Sequence, residues 1–168
     1  MPLTIYNASV PVYARRLTAL SGVLDKAIAF AAERKIDHGV LLQARLAPDM
    51  LSLERQVRIA CGHALRGTAR LTGAEPTAVE GEATTLEDLK GWIAKTLDII
   101  NGVDEKLMAG ADDRDISFPV GERTMTLNGA DYLLHFSMPN FYFHVTTAYA
   151  ILRHNGVVIG KGDFMGDE

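Results

Sequence analysis

Apolar residues recur at helical spacing through four long stretches of this chain, and that periodicity limits the fold more than any other feature. In the first stretch, within residues 4–37, Tyr6, Val10, Tyr13, Leu17, Leu20, Leu24, Ala27 and Ala31 alternate steps of four and three. Such spacing draws one buried stripe down an amphipathic helix. Pro11 stands either in the first turn behind a Ser9 cap or inside a helix that begins near Thr4 and kinks. Asp37-His38-Gly39 supplies an ending, and a short apolar piece over 40–46 runs up to Pro48. The second helix is expected over about 49–71, with Asp49 as cap and Met50, Leu53, Val57, Ala60, Ala64 and Leu71 as its seam. The third opens at Thr84-Thr85-Leu86-Glu87, a capping-box pattern, and carries Leu86, Leu89, Ile93, Leu97, Ile100, Val103 and Leu107 on its core face. The fourth runs from about Gly129 to His154, capped by Asn128 and ended by Asn155-Gly156.

Between the third and fourth helices, two strand-like runs over 116–120 and 124–128 flank Gly121-Glu122-Arg123, the pattern of a small hairpin. An isolated hairpin is marginal in water, so this one should lie against the helices. The fold expected is all-α: a four-helix bundle with a small β-hairpin between helices three and four, in one domain over 1–168. The long loops before helices three and four permit crossovers. The glycine-rich tail over 157–168 is expected to wrap the surface.

Charge and composition narrow the partners. The net charge is −4 with a pI near 5.7, and no Lys/Arg stripe offers a phosphate footprint, which argues against nucleic acid. No run of 18 apolar residues exists to span a membrane, and the opening residues lack the pattern of a secretory signal. Cys61 is the one cysteine, so no internal disulfide forms and a cytoplasmic location is expected.

The candidate chemistry sits on helices two and four. His144 shares a helix face with Phe141, Ala148 and Ile151, and an imidazole among such neighbours needs a partner. It reads either as a general base or metal ligand, or as a core histidine bonded to a tyrosine or a backbone carbonyl. His63 lies among small residues (Ala60, Gly67) and reads as a ligand for zinc or nickel or as an interhelical hydrogen-bonding group. Gln56 and Tyr13 are candidate hydrogen-bond donors in the pocket beside His63, with Tyr6 and Tyr149 as further candidates. Asp49 is a pocket candidate as well as a cap. His135, nine residues before His144, faces the other side of an ideal helix. His38 and His154 read as structural or solvated. Pro139 either kinks the fourth helix, freeing the His135 carbonyl, or begins the helix proper.

Several segments together, RLAPDM (45–50), QVRIA (56–60), RLTG (70–73), PNFYFH (139–144), AYAILRHNGV (148–157) and GKGDFMG (160–166), resemble an uncharacterised bacterial branch of the DinB/YfiT-like superfamily. The resemblance implies a four-helix bundle, often a homodimer, frequently with a metal between helices two and four, and in some members a thiol-dependent transferase or isomerase activity. The implied metal site uses one histidine on helix two and two, four residues apart, on the last helix. His63 matches the first. If Asn140 matches the asparagine that often precedes the pair, Phe141 and Val145 occupy the other two positions, with His144 between them. His63 and His144 alone would need a carboxylate or water to hold a divalent zinc or nickel, and the expectation is that no metal binds. The resulting expectation is a polar pocket between helices two and four, lined by the catalytic candidates His144, Tyr13, Gln56 and Asp49, with a small-molecule ligand. The alternative is a non-catalytic homodimeric binding or stress-related protein that uses the PNFYFH face as its interface.

Overall fold

The structure, a computed structural model, describes residues 3–166. Helix α1 (Ile5–Arg34) begins behind Thr4, whose hydroxyl accepts from the Asn7 amide at 3.1 Å, so Pro11 lies inside it. It ends earlier than the sequence suggested. Lys35, at φ 55°, closes it in the left-handed conformation, and the Ile36 amide returns to the Ala31 carbonyl. Asp37 instead starts a new element. Its carboxylate accepts from the Gly39 amide and caps α2 (His38–Gln43).

Helix α3 (Leu53–Thr72) begins after Ser52, so the expected cap at Asp49 is not formed; Asp49 sits exposed in the preceding turn. Leu53, Val57, Ala60, Ala64 and Leu71 of the expected seam are buried, whereas Met50 precedes the helix and is half-buried. Helix α4 (Leu86–Asn101) has the capping box one residue later than expected: Thr85 bonds the Asp88 amide while the Asp88 carboxylate accepts from the amides of Thr84 and Thr85. Its core face stops at Ile100. Leu107 stands beyond the helix, in a 3₁₀ turn, and is 55% exposed.

Strands β1 (Asp115–Val120) and β2 (Arg123–Asn128) pair antiparallel, Val120 opposite Arg123. Gly121 opens their turn at φ 60°, a conformation that favours glycine. Along β1 only one face is buried, through Ile116 and Phe118. The Phe118 ring meets Tyr132 at 5.0 Å and Phe136 at 4.6 Å, which fastens the hairpin to the last helix.

That last helix is continuous but not uniform. Helix α5 (Gly129–Asp131) is capped by the Asn128 side chain on the Asp131 amide. One π turn follows over Tyr132–Ser137, and then α6 (Met138–His154), with Pro139 in its first turn. The wide turn lets Pro139 begin α6 while the chain stays helical on both sides of it. A proline has no N–H to give and its ring crowds the preceding turn; widening that turn accommodates the ring without breaking the helix. The Asn140 side chain then donates to the Phe136 carbonyl at 2.6 Å.

In the bundle α3 lies between α4 and α6, and α1 closes the ring against α4 and α6, so α1 and α3 are diagonal rather than neighbours in sequence order. The tail is more ordered than its glycine content implied. Val157 and Ile159 are buried, and α7 (Lys161–Met165) packs on α1 through Lys26–Asp163 (2.5 Å) and the Arg16 guanidinium lying 4.8 Å over Phe164.

At the centre Tyr13 is fully buried, and its hydroxyl pairs with Ser137 in the π turn at 2.7 Å. Gly67 makes this possible: a β-carbon there would lie 2.5 Å from the Tyr13 oxygen. Tyr13→Phe leaves the Ser137 hydroxyl without that partner in a dry setting and should cost about 1–2 kcal/mol, read as a lower urea midpoint at unchanged slope.

Candidate functional site

Gln56, His63, Arg66 and Arg70 follow one another on α3 at steps of seven, three and four, so they share one stripe. This stripe borders α6, where His144 lies one turn beyond the Pro139–Asn140 entry. The His63 and His144 rings come together with centroids 5.8 Å apart and planes within 16° of parallel. Phe136 of the π turn flanks His63 at 6.3 Å. The sequence expectation that imidazoles from these two helices meet is thus what the packing gives. His135 points to solvent beside Asp131 and takes no part.

One bond orders the pair. Nδ1 of His144 lies 2.7 Å from Oε1 of Gln56. The amide nitrogen of the same Gln56 donates to the Leu51 carbonyl at 3.2 Å, which fixes its oxygen as the acceptor facing His144. A neutral His144 must therefore carry its proton on Nδ1, and Nε2 presents a lone pair. The partner is neither the tyrosine nor the backbone carbonyl that the sequence suggested. Gln56 serves His144 as an acceptor rather than His63 as a donor.

Both rings are held neutral. Burial first, then the neighbouring Arg66, His144 and Arg70 side chains, push the His63 imidazole down to about 3. Burial and the Arg66 charge lower His144. Burial, with Arg70 one turn away, lowers the Arg66 guanidinium too. Arg70 is engaged structurally: it donates to the Tyr132 hydroxyl at 3.2 Å and lies 4.9 Å over the Phe118 ring.

Other expected site residues are placed elsewhere. Tyr13 bonds Ser137, not an imidazole, and burial raises its phenol above the usual range. Tyr6 is half-buried, and Tyr149 packs on Phe164 at 5.8 Å. Asp49 is exposed in the turn before α3. Cys61 is buried, and its thiol is pushed up to about 12 by desolvation, so it is inert as a nucleophile. His38 accepts from the Leu86 amide at the start of α4. A groove lies beside Leu65, Val79, Trp92, Thr96 and Ile99, and neither imidazole lines it. Arg66 and Arg70 were not among the sequence candidates; their steps of three and seven from His63, which keep them on its helix face, were the available signal.

The donor set does not fit the three-histidine metal site. Phe141 and Val145, at the positions of the missing ligands, are buried core residues. Among the described residues no three of His, Cys, Asp or Glu are grouped to hold an ion, and the Gln56 bond already occupies Nδ1 of His144.

Similarity to known proteins agrees with this architecture. A family described as a domain of unknown function, DUF1993, matches residues 5–165. A crystal structure of a DinB family member protein from Shewanella denitrificans is 43% identical, covers 97% of this chain and 92% of its own, and superposes with a TM-score of 0.88. No curated protein matches. Among the described residues no helix is long and apolar enough to cross a membrane. A match over nearly the whole chain and a shared bundle with its hairpin place the protein in the DUF1993 family of DinB-like proteins.

Proposed function

We propose that the protein is a small-molecule enzyme of the transferase or isomerase kind that works without a metal, with His144 as its proton acceptor. The observation that carries this reading is the Gln56–His144 hydrogen bond, which leaves Nε2 of a neutral imidazole beside His63 without a partner among the described residues. A neutral imidazole held in one tautomer can take a proton from a ligand thiol, hydroxyl or acidic C–H and return it. His63 and Phe136 supply flat surfaces against which a ligand can lie.

Gln56→Met tests it. The substitution keeps the volume but frees the His144 ring, at an expected stability cost of about 1–2 kcal/mol. Thermal midpoints are read in a panel of low-molecular-weight thiols and of keto and hydroxy acids. The reading predicts at least one compound that raises the wild-type midpoint, with the response lost in both His144→Ala and Gln56→Met. No response in wild type, or one unchanged in both variants, rejects it.

One observation favours a second reading, a homodimeric binding protein. Phe143 is 55% exposed, and its ring stands nearly perpendicular to that of His144 with centroids 5.2 Å apart. PNFYFH does not present a single face, however: Phe141 is core, Asn140, Tyr142 and His144 are half-buried, and Pro139 and Phe143 are exposed. Under this reading His144→Ala weakens self-association, and a strict monomer by light scattering at micromolar concentration rejects it.

A further inference from the structure

The imidazole pair sits in a cationic setting that no carboxylate among the described residues neutralises. Arg66 is half-buried, yet among the described residues it makes no ion pair or hydrogen bond, and the charge that acts on it most is another cation, Arg70. Like charges one helical turn apart repel. Elsewhere on the same helix the chain treats an arginine differently: Arg58 is paired with Glu54 at 3.0 Å and donates to the carbonyls of Val79 and Gly81. His63 is likewise unpartnered. It is 8% exposed, and its contacts among the described residues are ring faces, with no hydrogen bond to either nitrogen. Among the described residues, an imidazole with no hydrogen-bond partner and a half-buried guanidinium without a carboxylate are thus both unused donors on one stripe.

The backbone makes room for this arrangement. Arg66 folds back over Gly62, where a β-carbon would stand 2.8 Å from its Nη1 and 3.4 Å from its Cζ. The guanidinium thus rests on the one residue of that turn that has no side chain.

We infer that this stripe binds a small oxyanion, a carboxylate or phosphate group, with Arg66 as its charge partner and His63 as a neutral donor. The location rests on the function proposed above and adds the ligand's class: an anion that also bears a proton-donating group for Nε2 of His144. A guanidinium suits such a group because its N–H fork matches two oxygens at once.

The full chain is titrated with inorganic phosphate and, separately, with malonate, with chloride holding ionic strength constant. Thermal midpoints and the ring signals of His63 are followed. Three variants accompany wild type. Arg66→Gln removes the charge, Gly62→Ala displaces the guanidinium while keeping it, and Arg153→Gln removes an exposed charge at the end of α6. The inference predicts saturable binding in wild type and Arg153→Gln, weakened about tenfold or more in Arg66→Gln and less severely in Gly62→Ala. The stronger of the two anions identifies the headgroup. An equal response in Arg66→Gln and Arg153→Gln overturns the inference, as does no wild-type response to either anion beyond chloride. The His144 tautomer is read on the same samples. If it is Nδ1–H while no anion binds, this inference fails alone; if anion binds but the tautomer is mixed, the proton-acceptor reading fails alone.

Discussion

Gly129→Ala is expected to be the most damaging single-methyl substitution among the described glycines, lowering stability by about 3 kcal/mol or more. Gly129 is buried where β2 passes into α5. A β-carbon there would stand 1.7 Å from the Ala111 carbonyl oxygen and 2.8 Å from its carbon. These are backbone atoms, so no rotamer change relieves the overlap. The neighbouring Ala130 amide donates to the Asp112 carbonyl at 3.0 Å, and Ala111 is itself fully buried. The segment before the hairpin is therefore stitched directly to the entrance of the π turn, and forcing the two apart moves Tyr132 and Phe136 as well. For a chain of this size the loss corresponds to a fall in thermal midpoint of roughly 6–12 °C. Gly91→Ala is the matched control. It lies inside α4 with nothing within 4 Å of the added carbon, and should be neutral or stabilise by up to about 1 kcal/mol. Equal midpoints for Gly129→Ala and wild type would show that these segments do not meet.

The second large effect is on acid stability. His63 is ordinarily protonated below 6.5, but in the folded protein burial and then the neighbouring Arg66, His144 and Arg70 side chains push it to about 3. Between those values the unfolded chain binds a proton that the folded chain refuses. Stability therefore falls as pH drops through the window, and it is fully present above 6.5. Each pH unit within the window costs about 1.4 kcal/mol, so by pH 5 the loss reaches about 2 kcal/mol and it grows further toward pH 3. His144, lowered from the same side, adds to the slope. Asp88, depressed to about 2, and Asp163, also lowered, contribute only below the ordinary carboxylate value of 3.8. The window from 6.5 to about 5 thus belongs chiefly to the histidines. His63→Met should flatten the urea-midpoint profile there. Parallel profiles for variant and wild type would contradict the proposed burial.

Most of the bundle was legible because its signals are local. The α1 stripe and the α3 seam follow from side-chain spacing alone, and the hairpin from Gly121 between two short apolar runs. Displacements arose where two local rules competed. Asp37 looked like part of a helix ending but is a better beginning, since its carboxylate can reach the Gly39 amide. Thr84 and Thr85 both fit a cap, and Asp88, able to reach back to both amides, decided between them. Leu107 continued the spacing of α4, but the helix had already ended at Asn101. The π turn had no such signature. It answers the needs of Pro139, Phe118 and Tyr13 together, and those needs are set by tertiary packing.

The site was half legible. His63 and His144 were found by asking which imidazoles lay on inward stripes of facing helices. Gln56 was found too, with its role assigned to the wrong histidine, because only the Leu51 carbonyl reveals which end of the amide is free to accept. Arg66 and Arg70 were missed because arginines on an acidic chain read as solvated surface. Their meaning appears only when Glu54 is seen to serve Arg58 and, among the described residues, nothing is seen to serve Arg66.

The central claim is that Gln56 fixes His144 as a neutral imidazole with an open Nε2 next to a neutral His63. Nitrogen-15 spectra of the histidine rings across pH 7 to 5 report tautomer and protonation together. Predicted are a His144 signal of the Nδ1–H form, a His63 ring that stays neutral throughout that range, and a His144 midpoint displaced below its ordinary 6.5. A His144 ring that averages between tautomers, or that joins His63 in taking up protons near 6.5, would contradict the account.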